Sequence, residues 1–228
     1  MNNLSRRQQN RLNKQNRALD AALKVFSQYG FESATMEAIA TEANLTKPTL
    51  YEYFGSKDEL FKAMMLAPRD LMMLAFDEEE DDHVSQLWAF AWTYVDTVMK
   101  PEFLSLARLI IGDAKRFVEI GRAYQASGPD RVLEGLTKYM ARQGAQKRLK
   151  IEDPELAAED FWGLILSAPR NKALHIPDYA PSIYMLARYV HNGMKVFLRA
   201  YSVDVVKDLE KLSNLIESSS KRELADEN

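Results

Sequence analysis

The chain has 228 residues, of which 46% are hydrophobic and 28% are charged, and its formal net charge is −3. This length is sufficient for one or two domains with a hydrophobic core. The absence of cysteine excludes disulfides, thiolate nucleophiles and cysteine-ligated zinc. No apolar run reaches about 18 residues, and the first residues are polar and basic. The sequence therefore predicts neither a membrane span nor a signal peptide, and it favours the cytoplasm.

Positive charge is concentrated at the N-terminus. Residues 1–57 hold eight Lys/Arg against five Asp/Glu, whereas residues 58–228 hold 22 against 28. A basic head on an acidic body is typical of proteins that attract nucleic-acid phosphates at one end. A solvated basic tail explains the charge equally well. We predict a flexible basic arm over residues 1–12.

Helical periodicity runs through most of the chain, and no alternation of β-branched residues predicts a strand. The first apolar stripe lies in residues 13–29, and Gly30 is expected to end that helix. Thr35 is placed to cap a short second helix. Asn44 follows that helix and tolerates the left-handed conformation of a tight turn.

A third and a fourth helix begin soon after this turn. Thr46 is expected to cap the third helix, and Pro48 lies in its first turn, where proline is tolerated. Ser56 and Glu59 have the spacing of a capping box that opens the fourth helix. Helix, tight turn and helix in this order predict a helix-turn-helix DNA-binding unit.

The rest of the chain also predicts helices, separated by proline and charged segments. The acidic residues 78–82 are expected to form an exposed connection. Pro68 and Pro169 are each expected to bend or end a helix. Pro101 and the pair Asp153-Pro154 open further helices, and another is expected over residues 181–201. We therefore predict an all-α protein with a helix-turn-helix domain at 13–60, a helical regulatory domain at 61–217 and a disordered tail at 218–228.

The segment around the third helix reads Thr46-Lys47-Pro48-Thr49-Leu50-Tyr51-x-Tyr53-Phe54-x-Ser56-Lys57. This motif resembles the signature of the TetR family of transcriptional regulators, and the resemblance covers roughly residues 13–62. Residues 108–129, 153–158 and 197–201 look like an AefR-like regulatory domain. The resemblance implies a homodimer that reads a palindromic operator, represses transcription and is released by a small-molecule effector, with no cofactor.

The third helix is expected to enter the major groove with its N-terminal end. Lys47 can donate to guanine or phosphate, while Pro48 and Tyr51 can contact base edges. Leu50 and Phe54 are expected to face the core. Several further residues suit phosphate contacts or lie near DNA by family resemblance. The predicted DNA-binding set is Thr35, Glu37, Thr46, Lys47, Pro48, Thr49, Tyr51, Tyr53 and Lys57.

Three features of this unit leave alternatives open. Tyr51 and Tyr53 either contact DNA or belong to a small aromatic core with Phe54. Glu52 either accepts a hydrogen bond from a cytosine amine or points to solvent. The basic arm can add affinity that is independent of sequence, or reach into a minor groove.

Aromatic residues in the regulatory half predict a ligand cavity. Trp88 and Trp92 occupy one face of a predicted helix, and Phe90 and Tyr94 lie nearly opposite. One face then packs on a neighbour while the other lines a cavity, although all four can equally be plain core. Such a cavity favours an apolar or aromatic effector. The predicted ligand-binding set is Trp88, Trp92, Tyr94, Phe103 and Arg108.

Two predicted helices, 155–174 and 181–201, are assigned to the dimer interface by family position. Because two copies are required to read a symmetric operator, at least part of this surface is expected to contact a second chain. The alternative is an internal core. The predicted interface residues are Phe161, Ile165, Ile183, Leu186, Val190, Met194 and Phe197.

No motif predicts an enzyme or a metal site. The three histidines lack the helical spacing of a metal pair, and no phosphate-binding glycine loop or nucleophile motif is present. The competing hypothesis is a DNA-bound structural or partner-recruiting protein on the same fold without a small-molecule ligand. An all-α enzyme is the third, and weakest, hypothesis.

Overall fold

Helices form the regular structure of residues 6–76, 82–112, 114–115 and 118–226, which are the residues that the computed structural model describes. In these residues, the only β-type pairing is an isolated antiparallel bridge between Leu149 and Ser202. The all-α prediction is therefore confirmed. The helices are α1 (Arg6–Ser33), α2 (Met36–Glu42), α3 (Lys47–Phe54), α4 (Lys57–Met73), α5 (His83–Val98), α6 (Pro101–Gly112), α7 (Val118–Ser127), α8 (Pro129–Ala145), α9 (Pro154–His175), α10 (Ile183–Tyr201) and α11 (Val205–Asp226).

The predicted helix starts are confirmed by their capping hydrogen bonds. The Thr35 side chain accepts from the Ala38 amide, and the Thr46 side chain accepts from the Thr49 amide. Asp153 caps α9 by accepting from two backbone amides of the first turn. These short side chains satisfy amide donors that have no partner inside the helix, so the sequence alone fixes where each helix begins.

Several predicted segments differ from the structure. Both Pro68 and Pro169 lie inside continuous helices, α4 and α9, so neither ends its helix, and a bend at either proline stays a prediction. Residues 6–12, predicted as part of a flexible arm, form the first turns of α1, while residues 1–5 lie outside the described residues. Residues 218–226 continue α11 rather than forming a disordered tail. Most of the predicted acidic connection, namely residues 78–81, lies outside the described residues.

The chain divides into two compact units. The first unit comprises Met1–Arg69 and Lys100–Asp130, so α6 and α7 pack with the N-terminal helices. Its core contains a cluster of three rings in which Phe26, Phe31 and Phe61 lie with centroids 5.2 to 5.5 Å apart. The boundary predicted near residue 60 separates a DNA-binding domain from a regulatory domain by function. It is a different division from this packing unit, and it stays a prediction.

The second unit comprises Asp70–Met99 and Arg131–Asn228. Phe161 of α9 is fully buried between Phe90 of α5 and Phe197 of α10, with ring centroids 6.1 and 5.0 Å away. At Gly193 the backbones of α9 and α10 approach so closely that a Cβ atom would lie 2.5 Å from the Leu164 carbonyl oxygen. This contact fixes the pairing of the two helices that the sequence assigned to dimerisation.

Candidate nucleic-acid interface

A tight turn joins α2 to α3. Asn44 adopts a left-handed conformation with φ of 51°, as its residue type predicted, and the Leu45 amide donates to the Ala40 carbonyl at 2.8 Å. The Arg17 guanidinium on α1 donates to the carbonyl oxygens of Ala43 and Asn44. Since these carbonyls end α2, α1 holds the turn at a fixed position. No sequence pattern predicts this role of Arg17, because it depends on a contact 26 residues away.

One face of α3 is buried and the other is exposed. Leu50 is fully buried and anchors the helix in the first core, as predicted. Thr46, Lys47 and Pro48 are exposed at the N-terminal end, and Tyr51 follows one turn later with 43% of its surface exposed. The exposed side chains therefore present a cation, an apolar ring and a phenol on one side of a short helix.

Lys47 forms an ion pair with Glu37 of α2. The hydrogen bond from Lys47 lowers the pKa of the Glu37 carboxyl, and the same bond raises the pKa of the Lys47 ammonium. The ammonium also lies 6.0 Å from the centroid of the Tyr51 ring. Both partners of the pair are exposed, so the ion pair is accessible to a competing anion such as a phosphate.

Tyr53 and Thr49 are half-buried at the flank of α3. The Tyr53 ring packs edge-on against Phe54 with centroids 6.3 Å apart, and the Arg11 guanidinium lies 5.6 Å from its centroid. The hydroxyls of Thr46 and Thr49 lie 2.8 Å apart. Tyr53 is therefore partly packed and partly exposed. This position is compatible with both alternatives, a DNA contact and a small aromatic core with Phe54.

Lys57 occupies a different environment from the one that its sequence position predicted. Its ammonium donates to the carbonyl oxygens of Phe31, Glu32 and Ala34 at 2.8, 3.2 and 3.1 Å, and it lies 4.5 Å from the Phe31 ring centroid. An ammonium has three donors. All three are used here, so Lys57 closes the C-terminal end of α1 in this structure, and its phosphate contact stays a prediction.

The remaining predicted DNA-binding residues lie beside this surface. Thr35 is exposed and caps α2, and Glu37 is exposed. Glu52, for which a cytosine contact and solvent were both left open, is exposed as well. The first turns of α1 carry four exposed cations, which are Arg6, Arg7, Arg11 and Lys14. This row adds positive charge to the same unit as α3. Whether these residues touch DNA stays a prediction.

The predicted ligand-binding residues do not form one cluster. Trp88 and Tyr94 are buried in the second core, where Trp88 stacks on His191 with ring centroids 5.3 Å apart. Trp92 is half-buried against Trp88, whereas Phe103 and Arg108 belong to the first unit. Only Tyr94 among the five lines a cleft of about 530 Å³ in the second unit. Sequence reasoning missed Arg170 in the same cleft, because an isolated arginine carries no pattern.

Most of the predicted interface residues are unavailable to a partner. Six of the seven are buried within the second unit, where they form its core, so the assignment is corrected for Phe161, Ile165, Leu186, Val190, Met194 and Phe197. Ile183 remains exposed. The accessible apolar residues on α10 are its neighbours Tyr184, Met185, Tyr189 and Val196. The apolar residues predicted for the interface on α10 therefore lie mostly on the face that packs against the chain's own core.

In the described residues, no group of three or more His, Asp or Glu side chains is arranged to hold a metal ion. Among the same residues, no helix combines the length and apolar character needed to cross a membrane.

Family comparisons match both parts of the chain. Residues 85–203 match the family described as AefR-like transcriptional repressor, C-terminal domain, and this match alone covers more than half of the chain. Residues 18–64 match the bacterial regulatory proteins of the tetR family. The second match includes α2, the turn and α3.

Individual proteins give the same assignment. The HTH-type transcriptional repressor NicS of Pseudomonas putida is 33% identical over 98 residues, which are 39% of this chain and 43% of NicS, so the chain spans less than half of that relative. A TetR-family regulator from Mesorhizobium loti has 28% identity and a TM-score of 0.68, covering 85% of this chain and 98% of that one. The Flavonoid-responsive Regulator FrrA has 25% identity and a TM-score of 0.59, covering 84% and 98%.

Proposed function

Because this chain belongs to the TetR family of bacterial regulatory proteins, we propose that it is a transcriptional repressor that binds a palindromic operator as a homodimer and is released by a small apolar or aromatic effector. The observation that carries the DNA-binding part is the exposed face of α3, held in place by Leu50. The proposal places the protein in the cytoplasm, where its operator lies, and includes no catalytic reaction.

The proposed contacts follow from the chemistry of the exposed face. Lys47 donates to guanine or to a phosphate, and Pro48 packs against a thymine methyl. Tyr51 reaches a base edge with its hydroxyl. Thr46 and Thr49 lie at the start of the helix, where hydroxyls suit phosphate oxygens. Lys57 supports this surface indirectly, through its hydrogen bonds to the carbonyl oxygens at the end of α1.

Two copies are required because an operator of two half-sites is read by two helices about 34 Å apart. We propose that the exposed apolar residues of α10 form part of the interface, in place of the buried residues predicted from sequence. An exposed row of Tyr184, Met185, Tyr189 and Val196 is the kind of surface that a second chain covers. Effector binding then releases DNA by changing the separation of the two reading helices.

The experiment for DNA binding is fluorescence anisotropy with DNA from upstream of the protein's own gene, measured over a range of salt concentrations. We expect tight, salt-sensitive binding that the double variant Lys47→Ala, Tyr51→Ala loses. Lys138→Ala is the control, because Lys138 is an exposed, ion-paired lysine on α8. Equal binding by the double variant and the wild type would contradict the assignment of α3.

Sedimentation velocity tests the interface. We expect the double variant Tyr184→Glu, Tyr189→Glu to shift the protein from dimer to monomer and to weaken operator binding, because two charges would be buried against a partner. Val206→Glu is the control, since Val206 is an exposed apolar residue on α11. If the double variant remained a dimer, this face of α10 would not be the interface.

The competing hypothesis is a DNA-bound structural or partner-recruiting protein on the same fold. It predicts operator binding that no small molecule weakens. A cleft of 530 Å³ in the second unit favours the effector hypothesis, because its volume suits a small ligand. The name of FrrA as a flavonoid-responsive regulator supports an aromatic effector by similarity alone.

A further inference from the structure

A surface cleft lies between α5, α8 and α9 in the second unit. Its volume is about 530 Å³, within the range of small-molecule sites. Tyr94 and Trp162 line it, with their rings edge to face and their centroids 5.8 Å apart. Leu133 of α8 and Leu166 of α9 add apolar surface. The walls therefore suit a planar, largely apolar molecule.

Two polar atoms in these walls have no hydrogen-bond partner. The indole Nε1 of Trp162 and the guanidinium Nε of Arg170 are shielded from solvent, and neither donates to any group of the described structure. Buried donors are normally paired, and leaving one unpaired is destabilising. Both residues line the cleft, so a rotation of either side chain toward the cleft would bring its unpaired donor to an acceptor on a bound molecule.

The two donors and the flanking charge are arranged along one side of α9. Trp162, Leu166 and Arg170 are spaced by four residues, so they lie one above another on the helix. Glu159 lies at the other end of the cleft, about 16 Å along the helix axis from Arg170 at 1.5 Å per residue. The cleft thus has an acidic end and a basic end, and only the basic end attracts an anion.

We propose that this cleft binds a planar aromatic monocarboxylate, with its carboxylate on Arg170 and its ring against Tyr94 and Trp162. The Nε and a terminal nitrogen of an arginine form a fork that matches the two oxygens of a carboxylate. The Trp162 indole donates to a carbonyl or hydroxyl oxygen of the same molecule. This inference rests on the proposed function, because it gives that effector a chemical class and a place.

Isothermal titration calorimetry of the full-length protein tests the proposal with 4-hydroxycinnamate as the probe. The matched neutral compound is 4-hydroxycinnamamide, which keeps the ring and removes the charge. We expect the acid to bind at least tenfold more tightly than the amide, because a hydrogen bond to a charged group is stronger than a neutral one. Equal affinities, or no heat from the acid at millimolar concentration, would overturn the proposal.

Two variants assign the contacts. Arg170→Met keeps the apolar stem of the side chain and should weaken binding of the acid at least tenfold. Trp162→Phe keeps a ring and removes the donor, and it should weaken binding about two- to tenfold. Arg199→Met is the control, because Arg199 is an exposed arginine on α10, and it should bind like the wild type. Unchanged affinity of Arg170→Met would overturn the assignment.

A second copy of the chain is the other candidate for covering this cleft, since α9 was assigned to dimerisation. Sedimentation velocity on the same preparations separates the two. If Arg170→Met or Trp162→Phe weakened self-association and left the affinity for the acid unchanged, the cleft would be an interface and the proposal would fail.

Operator binding in the same samples keeps the two proposals distinguishable. If the protein binds its operator and neither binds nor responds to the acid, the cleft assignment fails while the repressor function stands. If the acid binds and Arg170→Met abolishes that binding, but no operator is bound, the site stands while the repressor function fails. Release of DNA by the acid, lost in Arg170→Met, supports both.

Discussion

Replacing Lys57 with methionine tests whether this residue supports the DNA-binding unit or holds a phosphate. Methionine keeps an unbranched apolar side chain beside Phe31 but removes the ammonium. The sequence predicted a phosphate contact, whereas the structure shows the ammonium bonded to three backbone carbonyls at the end of α1. The two roles affect different quantities, so one variant separates them.

The magnitude follows from the acceptors that Lys57 leaves behind. One hydrogen bond to a charged group contributes about 1.5–3 kcal/mol. The three bonds share one half-exposed ammonium, and the bond to the Glu32 carbonyl is exposed, so solvent screening makes them less than additive. We expect Lys57→Met to lower the free energy of unfolding of the first unit by about 2–3 kcal/mol.

The assay is urea unfolding followed by two signals. Far-ultraviolet circular dichroism reports helices in both units, whereas all three tryptophans, Trp88, Trp92 and Trp162, belong to the second unit. Lys57→Met should therefore shift the circular dichroism transition to lower urea, and any tryptophan shift should be smaller. Lys62→Met is the control, because Lys62 is an exposed lysine on the same helix that pairs with Glu59 at the surface.

DNA binding of the same variant supplies the refuting result. A lost phosphate contact lowers the slope of log affinity against log salt by about one. If Lys57→Met lowered that slope while its unfolding free energy stayed within about 0.5 kcal/mol of wild type, the structural role would be refuted. The phosphate role predicted from sequence would then be restored.

Three further changes test the packing, the capping and the pH response. Gly193→Ala should destabilise the second unit by about 1–3 kcal/mol in urea unfolding, because its methyl would meet the Leu164 carbonyl oxygen; an unchanged midpoint would contradict the close approach. Thr46→Ala should lower the free energy of unfolding by about 1 kcal/mol, because it removes the N-cap of α3. An unchanged free energy of unfolding would contradict the stabilising role of this cap. Burial lowers the pKa of His191 below 6.5, so stability should fall as pH drops from 6.5 through that lower value. Quenching of Trp88 should follow the same titration, and His191→Gln should abolish both.

The sequence by itself determined the helices around the reading unit. Thr35, Thr46 and Asp153 cap amides two or three residues away, so their effect needs no tertiary contact. Asn44 adopts the left-handed conformation that its residue type tolerates. Leu50 could be placed inward from its apolar character and its position opposite the polar residues of the same helix. Such interactions lie within one helical turn, and a local pattern is sufficient to predict them.

Tertiary structure decided which partner each side chain meets. Lys57 has three carbonyls that lie 23 to 26 residues earlier, and the pattern around it is equally compatible with a phosphate. Residues on α10 show the same limit, because periodicity predicts an apolar stripe without saying whether it covers the chain's own core or a second copy. Met194 faces the core and Tyr189 does not. Arg170 became informative only when folding placed this residue in the wall of a cleft and left its buried Nε unpaired. Contacts between distant residues depend on how the helices pack, and no spacing along the chain encodes that packing directly.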